Sequence, residues 1–496
     1  MAATITDNLK KIILEGLYSS YTGKLVDGSI PAVAPDNYYI GIGKSEQWDE
    51  LGSPPPPTPS TDDIIKFQSS LQSVKKVQDV SYVVPRINWS AGSIYTPWDN
   101  KNSSDTTFGS LNDIIGSYYV ITDQSNVYIC IEQGMTATGV VRNSTSKPSG
   151  TTSDVFATGD GYLWKFMYNV GVFNSRRYLT SNYMPVERVP NADEVDGKQP
   201  NQLSASRLEQ KNLQDLAVPG QVIGIAVDSG GVGYPVNAEF EVTVEGVHAG
   251  GLDARAYART NPQGKIFQCV MKEDAESQYS FGSKYGKETW AYPVTGTVGS
   301  GSKLRPIVCL DSGGLGADPR NDLNTSALMY TARLVGNEYE TFNVQNDFRQ
   351  IGLIENPTKD SASPAPLTSL RADAMKRLYI TPGAEFDKTT IGGESIVYED
   401  GDPSIRAIVD YYEEDSSNGI IHCHQNIDTG WKPFTATPST IKIGANEGTT
   451  IPIALQPMLR YAGMDNLSGK VLYIDNRVAI ERDADQTEDI KIIIDL

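Results

Sequence analysis

His422-Cys423-His424 is the only His/Cys cluster in the chain. Imidazole and thiolate are the ligands zinc prefers, and a histidine next to an acid is the commonest proton carrier of hydrolases. On an extended strand, successive side chains point to opposite faces, so the two histidines share one face and the thiol takes the other. At most two ligands then meet on a face, which falls short of a closed zinc site. With only His248 besides these, there is little material for a nucleophile, a base and an orienting acid. Glu413-Glu414 is a carboxylate pair of the kind a glycosidase uses, but glycoside cleavage needs the two acids opposed across a cleft, and adjacent acids in an acidic chain predict a solvated face. Trp48, Trp89 and Trp98 could form a sugar platform, while their local contexts favour buried or interface positions.

Nucleotide and calcium motifs are incomplete. A phosphate-binding loop needs Gly-x-x-x-x-Gly-Lys-Ser/Thr, so that backbone amides and a lysine converge on phosphate. Gly296 to Lys303 has Ser302 where the lysine belongs, and Gly282 to Thr289 has its second glycine, Gly286, too early. Gly41-Ile42-Gly43 lacks the third glycine of a dinucleotide fingerprint. Asp483, Asp485 and Thr487 resemble the start of a calcium loop, yet Glu488 stands where the sharp turn requires glycine. No catalytic, cofactor-binding or metal-binding residue is therefore assigned. A non-enzymatic protein without a cofactor or a small-molecule substrate is expected.

The elements around these residues read as short strands. The chain has 496 residues, 39% hydrophobic and 21% charged, with 45 Gly and 28 Pro, a length that predicts two to four compact units rich in turns. Its net charge of −19 disfavours a phosphate-binding surface, so nucleic acid is not an expected partner. Four widely spaced cysteines do not make a disulfide framework and read as reduced thiols. Without an apolar signal core or spanning run, no membrane insertion is expected, and the chain is expected to be made and kept in the cytosol unless it leaves as part of a particle.

Ile5, Leu9, Ile12, Ile13 and Leu17 predict a helix over 5–20, capped by Thr6 or Asp7. Strands are predicted at Asn37–Gly43, Val80–Val84, Tyr118–Thr122 and Val127–Ile131, the last two joined by a turn at Asp123 to Asn126. Pro54 to Pro57 form a stiff spacer before a short helix from Asp62 to Leu71. Tyr162, Trp164, Phe166 and Tyr168 alternate with Leu163, Lys165 and Met167, which predicts one buried aromatic face. Asn191 to Asn212 reads as a polar stretch ahead of a boundary at Val218-Pro219-Gly220. Beyond it, Val222 to Val244 reads as a β module, with echoes at Asn261 to Ile266 and Thr295 to Val308. Ser395–Tyr398, Ile405–Tyr411 and Gly419–His424 read as strands of a further small unit. The apolar ending Ile492-Ile493-Ile494-Asp495-Leu496 must be pinned in a sheet or a subunit contact, and Val471, Tyr473, Val478 and Ile480 predict two half-buried strands around a turn at Asp475-Asn476-Arg477.

Five blocks carry a family resemblance: Gly43-Lys44-Ser45-Glu46-Gln47-Trp48; Val84-Pro85-Arg86-Ile87-Asn88-Trp89; Gly159 to Tyr168; Phe348 to Ile354 with Asn356-Pro357; and LYIDNR followed by DQTEDIKIII, between Leu472 and Ile494. In this order they resemble a baseplate wedge subunit of T-even-type contractile-tailed phages, in a larger form similar to those from phages of marine cyanobacteria. The resemblance implies a layered β-sandwich body with a few helices in loops, and a homodimer that joins other wedge proteins around the tail hub. It implies a structural role in tail assembly and host attachment or contraction, in the virion after assembly in the host cytoplasm. On this reading the body comprises 1–218, 319–372 and 453–496, with a Gly-rich β module inserted at 219–318 and a second inserted β module at 373–452, both projecting from it. The insertions lie outside the family pattern. The alternative is a tail-associated carbohydrate-binding or depolymerising protein built from the same short strands and aromatic residues, although long regular repeats of trimeric adhesins are missing.

Overall fold

The computed structural model describes residues 6–23, 34–50, 52–102, 117–190, 204–246, 249–273, 279–310, 313–335, 342, 347–360, 363–381, 395–415, 418–434, 440–444, 449–452, 463–483 and 486–496. Ile5, His248 and Asp485 lie outside them. Antiparallel strands dominate. One five-stranded sheet runs in the order Arg371–Asp373, Leu71–Lys76, Tyr38–Gly43, Phe348–Glu355, Lys470–Ile480. A four-stranded sheet, ordered Thr487–Asp495, Ala327–Val335, Asp79–Pro85, Tyr183–Val186, packs against it. Ile40, Ile42 and Leu353 of the first meet Tyr82, Leu328, Tyr330 and Ile492 of the second in one buried cluster, the interior of a β-sandwich.

The Asp7–Thr22 helix closes this interior with Leu14. Its cap is Thr6, whose hydroxyl accepts from the Leu9 amide, and Gly23 ends it in the left-handed region. Phe67, from the Thr61–Ser69 helix, fills the outer face of the five-stranded sheet with Leu71 and Ile354. Here Gly352 is required, because a Cβ would come within 2.3 Å of the Phe67 ring. Gly43 is held in the same way, since its Cβ would meet the Ser70 carbonyl oxygen at 2.4 Å. The Gly41-Ile42-Gly43 pattern is thus a packing feature of a strand that is buried along its whole length.

A third sheet contains Tyr119–Ile121, Asn126–Glu132, Leu163–Asn169 and Phe156–Ala157, in that order. Ser125, at φ 59°, makes the turn between the first two strands. Tyr162, Trp164, Phe166 and Tyr168 are all buried, as the alternation requires. Leu163 and Met167 on the opposite face are buried too. The sheet is covered on both sides.

Six strands between Val222 and Val308 form a closed barrel, ordered Glu239–Gly246, Ala256–Thr260, Ile266–Met271, Val222–Val232, Ser300–Val308, Thr289–Pro293. Asn261 to Ile266 is a hairpin turn here, and the stretch ending at Val308 pairs along Val222–Val232. The barrel interior is continuous with the third sheet: Val222, Ile225 and Ala256 belong to the same cluster as Trp164 and Ile129. Arg305 reinforces the junction with paired hydrogen bonds of 2.6 and 3.0 Å to Asp99. An outer sheet, ordered Lys376–Ile380, Asn418–His424, Asp402–Asp415, Ile396–Glu399, Thr440–Ile443, Thr449–Pro452, has a separate core of Leu378, Val397, Val409, Ile421 and Cys423.

One reading of local sequence is corrected, and one helix was not predicted. The Asp475-Asn476-Arg477 turn does not form; one strand, Lys470–Ile480, runs through it, with Asp475 opposite Ile351 and Asn476 opposite Gln350. Register shifts on either side of this stretch absorb its irregular pattern. The polar stretch Asn191 to Asn212 runs into the Ala205–Asp215 helix, capped by Ser204. Its buried face is built from glutamines as well as Leu213. Gln210 donates to the Glu187 carbonyl, and Gln214 both accepts from the Val189 amide and donates to its carbonyl.

All four cysteines are free and buried. Burial pushes the Cys130 and Cys423 thiols up and the Cys269 thiol up to about 12. The folded protein should therefore react slowly with a thiol reagent such as DTNB, and all four thiols should react promptly in denaturant. Fast stoichiometric labelling of native protein would contradict this packing.

Candidate functional site

Alternation along Asn418–His424 places Cys423 in the outer-sheet core and both histidines on the other face. The histidines have different partners. The His422 ring stacks on Tyr411 with a centroid separation of 3.9 Å and binds Glu413 through Nε2 at 3.1 Å. Burial pushes its pKa down, which favours the neutral ring. Glu413, read as part of a solvated face, holds this ring, while Glu414 is exposed.

His424 is clamped between two carboxylates. Its Nδ1 lies 3.0 Å from both Asp410 oxygens, and its Nε2 lies 3.1 Å from Glu46 Oε1. Ionised carboxylates only accept, so both ring nitrogens donate and the ring is an imidazolium. Burial alone would lower its pKa, but Asp410 and Glu46 outweigh burial and raise it to about 10. Burial likewise acts to raise the Glu46 pKa, and the His424 charge and hydrogen bond, helped by Lys44, reverse this and hold it at about 2.

Ser45 donates to Asp410 at 2.8 Å, and Arg349 donates to the Ser45 carbonyl at 2.6 Å. A serine, a histidine and an aspartate are thus within one network, but in the wrong order for acyl transfer. The Ser45 hydroxyl faces the acid, and His424 has no nitrogen left to accept its proton. The network is a staple. It joins the Lys44–Trp48 loop of the sandwich to the outer sheet across more than 360 residues of sequence. Among the described residues, no group of three or more His, Cys, Asp or Glu side chains is placed to hold a metal ion.

Beside the staple lies an open cleft of about 670 Å³. Its walls come from the Lys44–Asp49 loop, from Pro55 to Thr58 with the helix that follows, and from Asn426 to Thr429 of the outer sheet. Glu46 and Asn426 belong to both features, since Asn426 donates to Glu46 Oε1 at 3.2 Å. Trp48 is half-buried here. Its indole N–H donates to the Arg477 carbonyl at 2.7 Å, and the Lys44 ammonium lies 4.7 Å from its ring centroid. Trp98 is buried and donates to the Asp322 carbonyl, and Trp89 donates to Ser144, so neither joins Trp48 in a platform.

The remaining motifs resolve as structure. Gly296 to Lys303 spans the connection into the Ser300–Val308 barrel strand, and Gly282 to Thr289 leads into Thr289–Pro293. Glu488 is 3.3 Å from Arg482, and Thr487 begins the last strand. Among the described residues, no helix is long and apolar enough to cross a membrane. The staple and cleft escape a reading of local motifs because the stretch 44–70 meets walls from residues 396–429 and 474–476, far along the chain. No protein-family model matches the sequence, and no curated protein is significantly similar to it.

Proposed function

We propose that this protein is a structural subunit of the baseplate wedge of a contractile phage tail. The observation that carries the reading is the arrangement of the five resembling blocks. Phe348–Glu355 pairs on one side with Tyr38–Gly43, which leads into Lys44–Trp48, and on the other with Lys470–Ile480, which contains LYIDNR. The block ending at Ile494 pairs with Ala327–Val335, whose other neighbour is Asp79–Pro85, the start of VPRINW. Trp89 then bonds to Ile121 in the sheet that holds the aromatic block. Residues far apart in sequence form one frame, while the barrel and outer sheet are built from segments outside the pattern.

A structural role accords with how the charged groups of the staple are used. They hold segments together and leave no base or nucleophile exposed. The expected partners are a second copy of the chain and other wedge proteins, and the expected location is the tail baseplate.

Purified protein should scatter light as a dimer, at twice 54.0 kDa. Co-expression with other baseplate wedge proteins of a contractile tail should give a complex of fixed stoichiometry. A monomer at micromolar concentration that joins none of them would overturn the reading.

A further inference from the structure

Assembly leaves the cleft beside the staple without a role. Its volume of about 670 Å³ is that of a small-ligand site, for which ~300–1,000 Å³ is usual. Its walls are held in place before any ligand arrives. The His424 staple fixes Glu46 and Asn426, Asn476 donates to the Pro55 carbonyl at 2.8 Å, and Asp63 accepts from the Thr58 amide at 2.9 Å. Preorganisation of this kind reduces the ordering cost of binding.

The lining narrows the ligand class. The lining carries Lys44, Lys66 and Arg406 together with Glu46, Asp49, Asp63 and Asp428, and Glu46 is matched by the His424 charge. The cleft is close to electrically balanced in a chain of net charge −19, which disfavours a polyanion or a polycation as occupant. An added peptide strand is disfavoured as well. At the Lys470–Ile480 strand the Arg477 carbonyl is taken by the Trp48 indole, and the polyproline segment is tied to Asn476.

What fits is a neutral molecule with one apolar face and many hydroxyl groups. Ile396, Ile408 and Ile474 give the cleft an apolar component, and the indole of Trp48, held by its hydrogen bond to the Arg477 carbonyl and covered on one face by the Lys44 ammonium, stands at its wall. Hydroxyl groups both donate and accept, so they match a lining that mixes the Lys66 ammonium and Arg406 guanidinium with the exposed Asp428 carboxylate. We propose that this cleft binds a short neutral oligosaccharide, with Trp48 as the stacking surface and Asp428 as a hydroxyl acceptor. Binding would add a surface-attachment role to the structural one and does not depend on it.

The test is titration of the full-length protein with maltotriose, cellotriose, mannotriose and triacetylchitotriose, followed by indole fluorescence and saturation-transfer NMR. At least one should bind saturably. Trp48→Ala and Asp428→Ala should each weaken that binding by ~tenfold or more, the scale of losing a charge-assisted hydrogen bond or a stacking surface. Trp290→Ala, at a half-exposed indole on the barrel, should leave it unchanged. If Trp48→Ala fails to fold, Asp428→Ala decides, because that carboxylate is exposed on a turn organised by Asn426. Weakening by either variant supports the site. Absence of saturable binding to all four sugars, or binding that neither variant weakens, overturns the proposal.

Discussion

Trp164→Ala is expected to destabilise the protein by about 3–5 kcal/mol, the usual cost of deleting a buried large aromatic side chain. Trp164 is fully buried at the centre of the third sheet, stacked on Tyr162 at 5.8 Å and edge-on to Tyr95 at 5.5 Å. It lies opposite Cys130 and Phe156 on the neighbouring strands, so truncation opens a cavity with walls on every side. The indole N–H is buried without a hydrogen-bond partner, which makes the choice of substitution informative. Trp164→Phe removes that unsatisfied donor while keeping an aromatic ring, and should cost less than half as much as Trp164→Ala. Urea unfolding midpoints of the two variants measure this order. If Trp164→Ala keeps the wild-type midpoint and loses only binding to a partner, the residue is a recognition element and not part of the core.

The aromatic strand also shows how far local sequence reaches. Its period of two places Tyr162, Trp164, Phe166 and Tyr168 on one face, and all four are buried. The same period would put Leu163 and Met167 toward solvent, but the neighbouring elements cover them as well. Coverage by residues distant in the chain leaves no mark on a strand's own pattern. The Tyr38–Gly43 strand was legible from its contiguous apolar run and the first helix from its Thr6 cap and spacing, but the helix packs through Leu14, while Leu9, Ile12 and Ile13 of the expected apolar stripe are exposed. The Ala205–Asp215 helix was not, because Gln210 and Gln214 are buried through amide hydrogen bonds to residues 187 to 189, which a hydrophobic pattern does not record. Asp475-Asn476-Arg477 has turn-forming residue types yet lies mid-strand, where Asn476 bonds Gln350 and Pro55 and Arg477 offers its carbonyl to Trp48. Tertiary partners outweigh local preference there. The individual residues of the staple were visible, but Ser45 and Asp410 are separated by 365 positions, and only the folded chain brings them together.

His424→Ala should be as damaging as the core truncation, about 3–5 kcal/mol, because it leaves two carboxylates in a buried site without the cation that neutralises them. His424→Gln keeps a donor but no charge, and its pH dependence isolates the imidazolium. The folded pKa of His424 is raised to about 10 from an ordinary value of 6.5, so its stabilisation is full below about pH 6.5 and is lost as pH rises through about 10. Glu46 is held at about 2, below its ordinary 4.5, and its contribution is present above about pH 4.5 and lost as pH falls through about 2. The staple is thus strongest between about pH 4.5 and 6.5. Asp373, at the entry to the outer sheet, complicates the lower part of the range: burial outweighs Arg377 and raises its carboxyl to about 7 from 3.8, so its ionisation weakens the fold as pH rises between those values. Its contribution is common to wild type and variant and cancels in their difference. Between about pH 6.5 and 10, wild type should lose up to ~1.4 kcal/mol per pH unit that His424→Gln does not lose, so the two melting temperatures should converge. A constant separation across that window would show that His424 is not charged in the folded protein, and the contacts joining the Lys44–Trp48 loop to the outer sheet would then be ordinary neutral hydrogen bonds.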